Sequence, residues 1–318
     1  MKLKFQHIRF RWSVLLVFFV LGKFLVAQDS IPLKDLQTYF DEARIYGNQD
    51  KVDLAILSLE NAAKVAERNE DVKALIDSYH KFALLYLRLD KEETTLFYWD
   101  RAKALLKDIE YPYGNAIHKY VEGIVEFRNE KGFQARYLLD EAKQLNNDRN
   151  MFNNILLVEG NIFLKQEKYQ DAEKNFNSLV INTDIYEKEY LAANAHLGLS
   201  KVFLKSESFA ESAENAEKAL AIAQENSFFK EVLEANQLLS TAYEKLGAYD
   251  KALVNNKNLL GVRDSIFNID KIKTEMKVAD KIQFDFMGDQ IKRQDKKIEE
   301  LTESQNRSEI TAILTTAF

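Results

Sequence analysis

The residues of this chain able to do acid–base or metal chemistry are few and poorly spaced for it. Four histidines occur, His7, His80, His118 and His196. His7 belongs to a basic N-terminal stretch. The other three fall in separate parts of the chain, and none is in the His-x-x-x-His spacing that sets two imidazoles on one helix face, so no metal site is read from them. Cysteine is absent, which removes disulfides, thiolate ligands and cysteine nucleophiles. The glycines are scattered singly, so no phosphate-cradling loop can form, and no Gly-x-Ser-x-Gly elbow is present. Adjacent acids such as Glu92-Glu93 and Glu299-Glu300 lie on different helix faces and read as solvated charge. These residues therefore offer no catalytic constellation, cofactor site or metal site. What they do offer is a series of rings and hydrogen-bonding groups: Phe40, Arg44, His80, Tyr120, Phe127, Asn161, Lys201, Gln237 and Thr241. That mixture suits a peptide or protein ligand, held by stacking and by contacts to its backbone. The plainer alternative is that these groups solvate or pack the helices that carry them.

The elements that must position them are visible as a repeat. Ala43, Ala83, Gly123, Gly160, Ser200 and Ser240 are spaced 40, 40, 37, 40 and 40 apart. Twelve residues after each stands Ala55, Thr95, Ala135, Ala172, Ser212 or Ala252, and seven further on Ala62, Ala102, Ala142, Leu179, Ala219 or Leu259. An aromatic follows the first small residue by three in five units: Tyr46, Tyr86, Phe163, Phe203 and Tyr243. The third unit has Glu126 there, with Phe127 next to it. A small residue on one helix lets a second helix cross closely, and an aromatic one turn on fills the wedge between them. With only 2 Pro and 10 Gly in 318 residues, the composition suits helices. Each unit reads as helix, short turn, helix, and units of this length that stack on one another make a solenoid. The second unit runs near Val72–Leu89, turns at 90–93 and resumes over Thr94–Leu106. The fourth pairs Ile155–Leu164 with Tyr169–Leu179, and the sixth pairs Val232–Leu246 with Tyr249–Leu260. Tyr111-Pro112-Tyr113-Gly114 reads as a turn between units with exposed aromatics.

These features resemble the tetratricopeptide repeat family over about Leu36–Gly261. The resemblance rests on the small residue, the following aromatic, a turn ending in an aromatic (Tyr169, Phe209, Tyr249) and the alanines of the second helix. Ala213–Leu220 and Leu239–Leu253 carry it most clearly. The usual unit is about 34 residues and this one is mostly 40. Val52, Glu92 and Gly132 stand where the early units should have the turn aromatic. The resemblance implies an all-α, right-handed α-solenoid of about six helix pairs. Its first helices would line a concave surface where peptides or partner helices lie.

Outside the array the pattern changes twice. Residues 1–27 carry Lys2, Lys4, Arg9, Arg11 and Lys23, a net charge of +5, and the remainder carries −11. An acidic body excludes nucleic acid as the main partner. The basic start, the apolar run from Trp12 to Ala27 and the small residue before Gln28 read as a signal peptide over 1–27, either cleaved after Ala27 or kept as a membrane anchor. The array is assigned to 28–262. Residues 263–309 are charged, with apolar residues at Ile269, Ile272, Met276 and Ala279, then Ile291, Ile298 and Leu301. This reads as a stalk helix about 65 Å long, either pairing two copies as a coiled-coil homodimer or lying alone in solvent. Residues 310–318 turn uncharged and apolar. They are too short to span a bilayer, which takes about 20 residues, and read as the start of a membrane span continuing beyond Phe318 or as a C-terminus that packs on a partner.

Signal, array, stalk and membrane entry, in that order, resemble the extracytoplasmic half of bacterial receptors with tetratricopeptide sensor regions. In that family a cytoplasmic effector follows, most often a histidine kinase. The resemblance implies an exported, periplasmic sensor module that binds a protein or peptide ligand, while the kinase's own motifs are not in these residues. The other reading is an exported scaffold without an effector, which would require Phe318 to be the true end.

Overall fold

The computed structural model describes residues 35–145, 148–181 and 188–261. The segments read as a signal peptide (1–27), as a stalk helix pairing two copies (263–309) and as the start of a membrane span (310–318) lie outside the described residues. Twelve helices occur among the described residues, and no strand. They are α1 (Leu36–Asn48), α2 (Val52–Arg68), α3 (Val72–Arg88), α4 (Glu92–Leu106), α5 (Pro112–Arg128) and α6 (Gly132–Leu145). Then come α7 (Arg149–Lys165), α8 (Tyr169–Ile181), α9 (Lys188–Lys205), α10 (Phe209–Glu225), α11 (Phe229–Lys245) and α12 (249–261). They form six pairs, α1 with α2 through α11 with α12, in an all-α helical-repeat fold.

The small residues do what their spacing requires. All three registers are buried except Ser240 and Leu259 in the last pair, which no further described pair covers. At Gly160 a methyl group would sit 2.6 Å from the ring of Phe176, and at Gly198 it would sit 2.5 Å from the same ring. Phe176 is wholly buried, so those two glycines make room for it between three helices. In the fifth pair Ser212 takes the small position and donates its hydroxyl to the carbonyl of Ser200 at 2.9 Å, which satisfies a buried polar group where the axes cross. The aromatics three residues on pack where expected: Tyr46 and Tyr86 against the first cluster, Phe163 and Phe203 around Phe176, and Tyr243 in the last. Phe127 replaces the missing third-unit aromatic from one position over, packing against the cluster that holds Ala135 and Leu139.

Each first helix touches the first helix of the next pair, from α1 on α3 to α9 on α11, whereas no comparable contact joins the second helices. The array therefore curves with its first helices inside. The turns within pairs are uniform. A residue with left-handed backbone follows each first helix: Asp50, Asp90, Glu130, Glu167, Glu207 and Gly247, with φ from 55° to 75°. The next amide reaches back to the helix, as Lys51 N–H does to the carbonyl of Tyr46 at 2.9 Å, closing the orphaned carbonyls. Five of these six positions are acids.

The stretch read as an exposed turn at 111–114 is instead a helix start. Tyr111 precedes α5 and Pro112 is its first residue, where a missing amide costs nothing. Gly114 is buried, and Tyr111 donates its hydroxyl to Asp77 at 2.8 Å. The boundaries of α7 also move: it begins at Arg149, one and a half turns before the expected Ile155, because Asp148 caps it by accepting the amide of Asn150 at 2.9 Å.

Candidate functional site

The structure separates the nine candidate ligand residues into three environments. Phe40 and His80 are enclosed: Phe40 belongs to the first apolar cluster, with the Lys81 ammonium 4.9 Å from its ring, and His80 is wholly buried. Tyr120 and Phe127 lie partly buried against the third cluster. The remaining five, Arg44, Asn161, Lys201, Gln237 and Thr241, are on the inner helices with solvent contact. Of these, Arg44 pairs with Asp41 at 3.8 Å and Lys201 pairs with Glu234. Asn161 donates its amide to the carbonyl of Leu157 at 3.0 Å, and Thr241 donates to that of Gln237 at 3.0 Å. Asn154, Asn194 and Asn236 on the inner helices donate to their own helices in the same way, at 3.1, 2.9 and 2.8 Å. One N–H of each amide is used locally, and at the solvent-contacting Asn154 and Asn161 the second N–H and the amide oxygen are left to meet a ligand backbone.

His80 is brought to His118 one unit on, with Nε2 of His80 3.4 Å from Nδ1 of His118. Trp99 stacks on His118 at 4.2 Å between centroids and donates its indole N–H to the His118 carbonyl at 3.3 Å. Burial pushes both imidazoles down, His80 to about 3 and His118 to about 4, helped by the positive charges of Lys81, Lys103 and Lys119. One turn before His80, Asp77 is pushed up by burial to about 6, against the hydrogen bond from Tyr111. Sequence reasoning treated these histidines as unrelated. The signal was their separation of 38 residues, close to one repeat, which places them side by side on neighbouring first helices. No group of three or more metal-ligating side chains is found among the described residues.

A second polar centre lies at Arg88, the last residue of α3. Arginine or lysine at this position pairs with the left-handed acid of the preceding unit: Arg88 with Asp50 at 3.8 Å, Arg128 with Asp90, and Lys165 with Glu130 at 3.1 Å. Arg88 alone of these three also reaches a remote part of the chain. Its Nη1 donates to the Tyr190 hydroxyl at 2.6 Å, its Nη2 lies 3.5 Å from both carboxylate oxygens of Glu231, and its guanidinium sits 5.1 Å from the Tyr190 ring centre. Nη2 also donates to the backbone carbonyl of Asn48 at 3.3 Å, and Lys230 donates to the carbonyl of Arg88 at 2.8 Å. Burial opposes the charge on Arg88, but Tyr190, Glu231 and Asp50 more than offset it and hold its pKa above the ordinary value. Glu231 is also raised, because burial outweighs the pull of the single guanidinium it faces.

No family model matches the chain, and no curated protein does. Solved structures do resemble it. BtubC (BKLC) from P. vanneervenii is 16% identical over 73% of this chain and 92% of its own, with a TM-score of 0.50. The apo form of RapI is 15% identical over 72% of this chain and 66% of its own, with a TM-score of 0.53. A Rap protein complexed with competence and sporulation factor is 13% identical over 80% of this chain and 74% of its own, with a TM-score of 0.51. At such identities the likeness is one of fold: an all-α helical-repeat solenoid. No described helix is long and apolar enough to cross a membrane.

Proposed function

We propose that this chain is the protein- or peptide-binding sensor module of a membrane signalling receptor, carried outside the cytoplasm and forming the N-terminal part of a tetratricopeptide sensor histidine kinase. The observation that carries the binding half of this reading is the inner layer of first helices. It presents hydrogen-bonding side chains, Asn154, Asn161, Lys201, Gln237 and Thr241, along a curved surface with no reactive cluster. Such a surface recognises a chain by its backbone and by a few side-chain pockets. The Rap protein whose structure was solved with competence and sporulation factor shares this architecture, which supports the reading without identifying a ligand here.

The export half rests on the sequence: the basic-then-apolar start, the charged stalk over 263–309 and the apolar stretch at 310–318. Ligand binding would alter the curvature of the array, and the stalk would pass that change to the membrane as a shift in helix pairing. Two measurements test the reading. A reporter active only outside the cytoplasm, fused after Gly261, should be active, and an inactive fusion would exclude export. The full chain should retain members of a random peptide library, and Lys201→Glu combined with Gln237→Ala should reduce that retention at least tenfold. Unchanged retention would move the ligand off the inner face.

A further inference from the structure

The contacts of Arg88 join parts of the array that are far apart. Arg88 and Tyr190 are separated by 102 residues, and Arg88 and Glu231 by 143. The turn edge of the first two pairs thus meets the opposite edge of the last two, so the solenoid closes on itself after one circuit. Three features mark this seam. None of the six apolar clusters crosses it. The direct bonds across it include those of Arg88 to Tyr190 and Glu231 and that of Lys230 to the Arg88 carbonyl. Beside them lies a cleft of about 300 Å³ rather than a packed interface, with Arg44, Asn48, Glu189, Tyr190, Glu225 and Asn226 in its walls.

We propose that the seam is a reversible clasp, and that the array has a closed form with Arg88 docked and an open form in which the two edges part. The chemistry supports reversibility. In the closed form Asp50 and Glu231 are only 8% and 6% exposed, and the Asp50 oxygens accept no hydrogen bond. Guanidinium charge at 3.5–3.8 Å is what compensates them. Parting the edges returns all three charges to water, so the loss of attraction is offset by recovered hydration. An apolar seam would have no such compensation. Each junction between neighbouring pairs needs to flex only slightly for the edges to separate, because the change is shared along the array. This device does not depend on the ligand reading above.

The absence of cysteine allows a clean test, since two introduced thiols are the only labelling sites. Spin labels on the full chain at Glu93→Cys of α4 and Gln224→Cys of α10, both exposed, report the separation of the two edges. At low salt the distance distribution should be short and narrow. Arg88→Met should lengthen it by several ångströms and broaden it, with helical content unchanged by circular dichroism. About 1 M NaCl, where the screening length is about 3 Å, should shift the parent chain in the same direction. Tyr190→Phe, which deletes the shortest contact, should give an intermediate shift, and it decides the question by the same readout if Arg88→Met does not fold. A distribution unmoved by substitution and by salt, or one already long and broad at low salt, overturns the clasp.

Discussion

Phe176 and Arg88 are both side chains around which several helices gather, and they do it by opposite means. Phe176 is wholly buried between α7, α8 and α9, where Gly160 and Gly198 leave room for its ring. Arg88 reaches the Tyr190 hydroxyl and the Glu231 carboxylate across the seam, and Asp50 and the Asn48 carbonyl on its own side. Around Phe176, contact between neighbouring pairs rests on shape, which salt and pH leave alone. Contact between the ends rests on charge, which both can change. The same chain therefore has stiff local junctions and a closure that responds to its surroundings.

The comparison breaks most readily at Phe176. Phe176→Ala should cost about 3–5 kcal/mol, and Gly198→Ala about 1–3 kcal/mol because the ring has nowhere to move. Both are read from urea unfolding, and a neutral Gly198→Ala would show that the junction is looser than described. Acid should act next. The folded-state pKa values of His80 and His118, about 3 and 4, lie below the ordinary 6.5. The unfolded chain therefore takes up more protons once the pH falls below about 6.5, and stability drops by roughly 1.4 kcal/mol per pH unit for each histidine. Asp77, raised to about 6, has the opposite sign: its protonation favours the folded state between about 6 and 3.8 and offsets one histidine there. Melting temperature should thus fall on acidification from pH 6.5 to 4, and replacing both histidines by asparagine should flatten that limb.

Arg88→Met sharpens the contrast in a different way. A buried pair broken in place would cost about 3–5 kcal/mol. If the edges part and the carboxylates rehydrate, the loss in urea should be only about 1 kcal/mol, and a full loss would mean the seam cannot open. Smallest of all, Glu207→Gly relieves a left-handed acid at φ 61° that is exposed to solvent. It should gain up to about 1 kcal/mol, measured by the same unfolding experiment.

The repeat was legible because close helix crossings demand small residues, and Gly160, Ser200 and their counterparts recur at nearly fixed intervals. The boundaries were less so: α7 starts at Asp148's cap, which carries no apolar periodicity. The turns were legible but their left-handed residues were not, because acids, not glycines, hold five of the six such positions within pairs. Of the candidate ligand residues, the polar ones do lie on the inner layer, but Phe40 and His80 proved to be interior. A repeat register tells which helix a residue is on more reliably than which side of it faces a neighbour. The seam left no mark in the sequence at all, since a contact between residues 102 and 143 apart has no period to betray it.

That contact bears on how such a chain can change over generations. Open solenoids lengthen and shorten by duplicating or losing whole units, because each unit answers only to its neighbours. Here a gained or lost pair between α3 and α9 would carry Tyr190 and Glu231 round the axis and away from Arg88. It would leave Glu231 without its cation. Unit number between those points is therefore a fixed count, and lineages that keep the closure are free to vary sequence and turn length but not the number of pairs it encloses.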